Sequence, residues 1–289
     1  MKASSRAISP DLPALRARHP EHFAPAWAHR AAVIGTIAFL AGLFVFGFWR
    51  LGFSFEKVLA GIGQLGTLLW LMIPPNPGSW AKFVTFLHAL AETVAIAFLG
   101  TLLAALIAFP IGLIAARNTT INRVVQFASR RVLDGIRGID TLIWALLWIN
   151  VVGLGPFAGV LAIMTSDLGT FGKLFSEAIE AADKKPVEGI ASTGGARAHQ
   201  IRFGILPQVF PVLAGQVLYF FESNTRSGTI IGIVGAGGIG LHLAEQIRTL
   251  EWQAVSFLVI MILIMVAVID AVSVRLRAAI IGRAQQPVV

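Results

Sequence analysis

The chain has no cysteine, which excludes disulfides, thiol catalysis and thiolate metal sites while leaving the redox compartment open. Charge is scarce. Only 13% of the 289 residues are Asp, Glu, Lys or Arg and 56% are hydrophobic, whereas a soluble domain is about 25% charged. With a mean hydropathy of +0.77 and about 20 apolar residues needed per transmembrane span, the composition is that of an all-α, polytopic membrane protein. The chain lacks a Gly-x4-Gly-Lys-Ser/Thr run, so it carries no phosphate-cradling loop of its own. The six histidines are scattered, with His19, His22 and His29 near the N-terminus, and no pair sits beside a carboxylate at a metal-ligand spacing. No metal or cofactor is therefore expected within the chain. No nucleophile–base constellation stands out either, which sets aside an intramembrane enzyme. A cleavable leader is not expected, because the first apolar run starts at Ala31, is span-length and has no small-residue cleavage pattern.

The formal net charge is +8. The basic residues border apolar runs, so they act as topology signals rather than a nucleic-acid face. Residues 1–30 are polar and hold Pro10, Pro13, Pro20 and Pro25 with Lys2, Arg6, Arg16, Arg18 and Arg30, which predicts a largely irregular arm. Residues 31–88 hold a first span (Ala31 to Trp49), then an amphipathic segment from Phe53 to Ile73 suited to the outer interface, broken by Pro74-Pro75-Asn76-Pro77-Gly78. Residues 89–277 form the core and 278–289 a tail. Within the core, spans are expected at Ala89 to Ala116, Thr141 to Val152, Phe157 to Phe175, Ile205 to Phe221 and Ala254 to Val274, with a basic helical stretch between Arg117 and Asp140. Basic clusters at the N-terminus, at 117–137, at 173–202 and at the C-terminus imply about six crossings with both termini cytoplasmic. The glycine-rich stretch Gly228 to Leu241 is too short to cross and reads as re-entrant or as a broken extension of the preceding helix.

Between the fourth and fifth expected spans lies a charged, glycine-punctuated island, Pro186-Val187-Glu188-Gly189-Ile190-Ala191-Ser192-Thr193-Gly194-Gly195, followed by Ile205-Leu206-Pro207. Pro186 suits a first helical position and Gly194-Gly195 a helix stop. A second short helix is expected from Ala196 to Phe203, so the island reads as a rigid cytoplasmic knob within 177–204. Its spacing resembles the coupling loop of ABC-importer permeases: a Glu-Ala-Ala triplet, three residues, Gly, then Leu-Pro eleven residues on. Glu188, Gly189 and Ile190 take the triplet's positions, Gly194 the glycine, and Leu206-Pro207 the closing pair. A literal Glu180-Ala181-Ala182 lies upstream but fails the spacing, because Pro186 falls where the glycine belongs. The plainer reading of the island is a generic amphipathic loop.

Further downstream, Gly235, Gly237 and Gly240 match a dinucleotide fingerprint only as a pattern of letters. No soluble strand precedes them, so close helix packing or irregular backbone explains them better. Val152-Gly153-Leu154-Gly155-Pro156-Phe157-Ala158-Gly159-Val160, Gly172-Lys173-Leu174-Phe175, Pro186-Val187-Glu188-Gly189, Leu206-Pro207-Gln208-Val209 and the block from Glu222 to Gly240 together resemble the permease subunit of phosphonate-family ABC importers. The chain departs from that pattern at Ile139-Asp140-Thr141. The resemblance implies a methionine-permease-like fold and import of phosphonate or a related phosphorus oxyanion, such as phosphite or a phosphate ester. It also implies a homodimer in the bacterial inner membrane, a cytoplasmic ABC ATPase dimer that holds ATP and Mg, and a periplasmic or lipid-anchored binding protein. A permease for another small solute, or an ATP-independent secondary transporter, are the competing readings. Ionisable groups at membrane depth are functional candidates because lipid exposure is costly, which singles out Glu92, Asp167, Glu222 and Arg226, with Asn224 between the last two. Glu222 and Arg226, at i and i+4, either line a path or form an internal ion pair; Asp167 either lines a path or bonds to neighbouring helices.

Overall fold

A computed structural model describes residues 27–284 of the chain. The irregular arm expected for residues 1–30 falls almost wholly outside these, as do the last five residues of the tail. The described residues are helical: α1 (Trp27–Arg50), α2 (Phe55–Leu71), α3 (Trp80–Ala115), α4 (Arg123–Arg137), α5 (Thr141–Val152), α6 (Pro156–Glu180), α7 (Lys184–Ser192), α8 (Leu206–Ile233), α9 (Ile239–Arg248) and α10 (Trp252–Ala284). The chain divides into two compact units, Met1–Thr67 and Leu68–Val289. In the first, α1 carries an apolar surface that is exposed along its length, as a lipid-facing helix does.

Hydropathy leads one to expect six crossings; by length and composition four helices qualify, and five if one sharply bent pair counts as a single span. The physical reasons are local. α5 has 12 residues, a rise of about 18 Å, and meets α4 at an 87° bend. α6 is long enough at 25 residues but carries Asp167, Lys173, Glu177 and Glu180. It sits at the centre of the second unit, with Ala158, Ile163, Phe171, Phe175 and Ile179 buried. A helix enclosed by other helices does not have to present an apolar surface to lipid.

Close approach of backbones builds this centre. α3 carries Gly100, Ala104, Ala108 and Gly112, all buried at intervals of four residues, and so presents a small-residue stripe to α6. A Cβ at Gly100 would lie 2.7 Å from Ile163 Cβ, and one at Gly112 would lie 2.9 Å from Phe175 Cβ. Such stripes let membrane helices gain dispersion contact where burial from water supplies no drive. α3 also begins nine residues before the expected span, capped by Ser79 on Lys82 N, so Glu92 lies inside the helix rather than at its end.

The stretch Gly228 to Leu241 resolves in favour of a broken extension. α8 continues to Ile233, turns through Gly235, Gly237 and Gly238 at φ +103°, +83° and +75°, and restarts as α9. Positive φ is free for glycine and strained for other residues, so this run of glycines is a turn and not a nucleotide loop.

Candidate functional site

Asp183 starts the knob by accepting a hydrogen bond from Lys185 N. Pro186 is therefore the third helical residue, not the first, because the carboxylate cap lies two positions earlier than the proline signal implied. α7 ends at Ser192, and Gly194 follows at φ +81°, as a helix stop requires. Val187 and Ile190 turn inward: a Cβ at Gly204 would lie 3.1 Å from Val187 Cγ2, and one at Gly195 would lie 2.7 Å from Ile190 Cγ2. Glu188 and Gly189 stay exposed, with Ile190 half-buried beneath them.

The expected second short helix is a single α-turn, Arg197–His199, then a π-helical turn, Gln200–Ile205. It runs without a break into α8 at Leu206, so Pro207 sits where the π-helical turn hands over to the α-helix, in the first turn of α8. Gln208 fastens the knob to α8: its Oε1 accepts from Asp183 N at 2.9 Å and its Nε2 donates to Asp183 O at 3.2 Å. The cap of α7 is thereby joined to the first turn of α8. The literal Glu180-Ala181-Ala182 does other work. Glu180 accepts from Arg117 N at 2.6 Å and from Arg130 Nη2 at 2.7 Å, tying α6 to α4 and to the end of α3. A cavity of about 260 Å³ between this tie and the knob is lined by Asn118, Glu180, Lys184 and Glu188.

The membrane-depth candidates fall into three places. Glu92 Oε1 accepts from Gly238 N and Thr93 Oγ1 from Ile239 N, both at 2.8 Å. Together they satisfy free N–H groups at the start of α9. Asp167 and Asn224 are 5% and 6% exposed; Asn224 Nδ2 donates to Asp167 Oδ2 and, at 2.8 Å, to Thr101 Oγ1, pinning α6, α8 and α3 together. Losing Asn224 leaves a buried carboxyl without its donor, so Asn224→Ala is expected to cost about 1–3 kcal/mol. Asp167→Asn keeps an acceptor and should cost much less. Thermal unfolding of the detergent-solubilised variants checks the order, and an unshifted Asn224→Ala melt would dismiss the pin.

The third place is a four-membered charge group joining α8 to α10. Glu222 is nearer to Arg277 than to its helix neighbour: Arg277 Nη2 lies 2.7 Å from Glu222 Oε2, while Arg226 Nη2 stands 3.6 Å from Glu222 Oε1. Arg226 Nη1 is also 3.6 Å from Asp270 Oδ1. Side-chain exposure is 14% for Glu222 and 48% for Arg226. Arg277 also lines an open groove of about 790 Å³ with Arg137, Gln208, Gln216 and Tyr219. Neither Asp270 nor Arg277 is among the candidates that the sequence singles out. Asp270 had a signal, since it is an acid within the apolar run of 254–274; the Arg277–Glu222 contact spans 55 residues and had none.

The family described as "binding-protein-dependent transport system inner membrane component" matches residues 108–286. The putative phosphite transport system permease protein HtxC of Stutzerimonas stutzeri is 39% identical over 88% of this chain and 89% of its own length. The putative cryptic phosphonate transport system permease protein PhnE2 of Escherichia coli (strain K12) is 47% identical over 41% of this chain and 97% of its own length. Among solved structures, a chain of the inward-facing MetNI methionine ABC transporter superposes with a TM-score of 0.61 at 18% identity, covering 70% of this chain and 99% of that one.

Proposed function

Because this chain belongs to the binding-protein-dependent transport system inner membrane components, and is thus a multi-pass inner-membrane permease subunit, we propose that it carries phosphonate or a related phosphorus oxyanion, phosphite or a phosphate ester, inward on ATP hydrolysis. The names of its phosphite and phosphonate relatives support that substrate class. ATP and Mg are held by a separate cytoplasmic ATPase dimer, and a periplasmic or lipid-anchored protein delivers the anion. Two copies of the chain, embedded in lipid, pair about the route, as a two-fold assembly of half-pathways requires. Both termini face the cytoplasm, and Glu188, Gly189, Ile190 and Gly194 form the face that enters the ATPase. Leu206 and Pro207 begin the rod that takes up its movement.

On the residues themselves, the carrying observation is Arg226, a half-exposed guanidinium that stands 3.6 Å from Glu222 and Asp270 and has no hydrogen-bonded carboxylate among the described residues. Its planar fork fits an oxyanion better than an ammonium does. Glu222, on the same helix, limits how tightly it holds. Asp167, Asn224 and Glu92 fix the helices along which the anion passes. Uptake into vesicles containing permease, ATPase and binding protein tests this. Arg226→Ala should cut uptake at least about tenfold, one charge-assisted contact being worth that much, with ATPase assembly intact, and Arg226→Lys should recover part of it. Near-normal uptake by Arg226→Ala would overturn the role, and titrating the binding protein with phosphonate, phosphite and phosphate ester identifies the anion.

Orientation has its own check. Because the chain has no cysteine, single cysteines report cleanly. Positions 76 and 249 should react with an impermeant thiol reagent from outside, and positions 184 and 285 only from the cytoplasmic side. Outside labelling at 184 would reverse the assignment.

A further inference from the structure

The charge group on α8 and α10 contains more than an i, i+4 pair. It holds two carboxylates and two guanidiniums, and their distances are unequal. Arg277 donates to Glu222 at 2.7 Å, a charge-assisted hydrogen bond within normal range. Both contacts of Arg226 are 3.6 Å, beyond hydrogen-bond range. On the other side, Asp270 Oδ1 is buried and accepts no hydrogen bond among the described residues. The group therefore contains one hydrogen-bonded pair, one guanidinium placed between two carboxylates and hydrogen-bonded to neither, and one carboxylate oxygen still in need of a donor.

We propose that α10 sets the strength of the anion contact through two residues of opposite effect: Arg277 engages Glu222 and so leaves Arg226 available, and Asp270 is the carboxylate that reclaims Arg226 when the anion leaves. This rests on Arg226 as the oxyanion contact. A guanidinium with no competitor would hold an oxyanion too long for transport, and one locked to a carboxylate would not receive it. Glu222 is the less exchangeable competitor, because Arg277 holds its Oε2 at low exposure and only Oε1, 3.6 Å away, faces Arg226. Asp270 is the more exchangeable, because its oxygen has no other donor and faces Arg226 across the gap. Only a small side-chain movement separates the anion-ready arrangement from one in which Arg226 donates to Asp270. Arg277 and Asp270 are positioning residues: neither touches the anion.

The consequence is a difference in sign that a merely structural role does not produce. Removing the Asp270 charge should tighten anion binding and slow release. Removing the Arg277 charge should free Glu222 to take Arg226 and weaken binding. The experiment uses the purified permease–ATPase complex without the binding protein, with radiolabelled phosphite as probe, alongside the vesicle uptake rate. Asp270→Asn should lower the Kd about tenfold and also lower maximal uptake, tenfold being what one charge contact is worth. Arg277→Gln should raise the Kd by a similar factor, and Arg277→Lys should fall between it and the parent. Should Arg277→Gln fail to assemble with the ATPase, the Asp270→Asn and Arg277→Lys shifts still decide. If Arg226→Ala transports normally, the oxyanion contact itself is wrong. If Arg226→Ala is impaired but Asp270→Asn and Arg277→Lys shift the Kd in the same direction, or not at all, the contact stands and the role of α10 is overturned.

Discussion

Gly240→Val should prevent stable folding of the second unit. A Cβ at position 240 would lie 1.9 Å from Thr229 O and 2.9 Å from Gly232 Cα. Both obstacles are backbone, so no side-chain rotamer relieves the clash, and α9 must move away from α8. That movement cannot stay local. α9 is held at its first residues by Glu92 and Thr93 through Gly238 N and Ile239 N. Lifting it strips those groups and opens the cluster of Phe86, Ala89, Ile239, Leu258 and Met261. Overpacking plus lost caps amounts to about 3 kcal/mol or more, a large share of a typical stability margin. Membrane-inserted yield and the melting temperature in detergent read the effect. Gly35→Ala is the matched control, because a Cβ there meets nothing within 4 Å and alanine favours a helix. A Gly240→Val protein that melts with the parent would show that the α8–α9 approach is not needed.

How much of this the sequence revealed depends on how far apart the interacting residues lie. The island from Pro186 to Gly195 was legible as helix, elbow and restart because each signal is local: a cap, a glycine with positive φ, a proline in a first turn. The end of α8 was not, because hydropathy falls at Glu222 to Ser227 and a window reads that as the end of a span. The helix continues since Asn224 and Thr225 are buried against neighbours rather than exposed to lipid. The span expected at Phe157 to Phe175 is present within α6, where Asn224 of α8 holds Asp167 and Asp134 of α4 holds Lys173; the apolar composition of Thr141 to Val152 says nothing of the 87° bend at which α5 meets α4. The caps supplied by Glu92 and Thr93 act across 146 residues. At that separation a sequence marks a carboxylate as unusual without naming its partner, and Glu92 was singled out with no neighbour assigned.

Gly194→Pro should leave the protein inserted and folded yet unable to transport. Position 194 has φ +81°, and proline fixes φ near −65°, so the chain leaving α7 must take another direction. Proline also removes the N–H that Gly194 donates to Ala191 O at 3.0 Å. It further disfavours the helical geometry of the preceding residue, Thr193, now at φ −84° and ψ 6°. The elbow then no longer delivers Gly195 beneath Ile190, and the contact that seats α7 against the π-helical turn is lost. The rest of the unit has no stake in this residue, since a Cβ at 194 would meet nothing within 4 Å. Gly194→Ala separates the two contributions: it retains the N–H and pays only left-handed backbone strain, about 1–2 kcal/mol, so it should transport at a reduced rate. In the reconstituted complex, Gly194→Pro is expected to hold the ATPase more loosely and to lose substrate-stimulated hydrolysis altogether, with a melting temperature close to the parent's. Full stimulation in Gly194→Pro would mean that the ATPase does not engage the chain through α7.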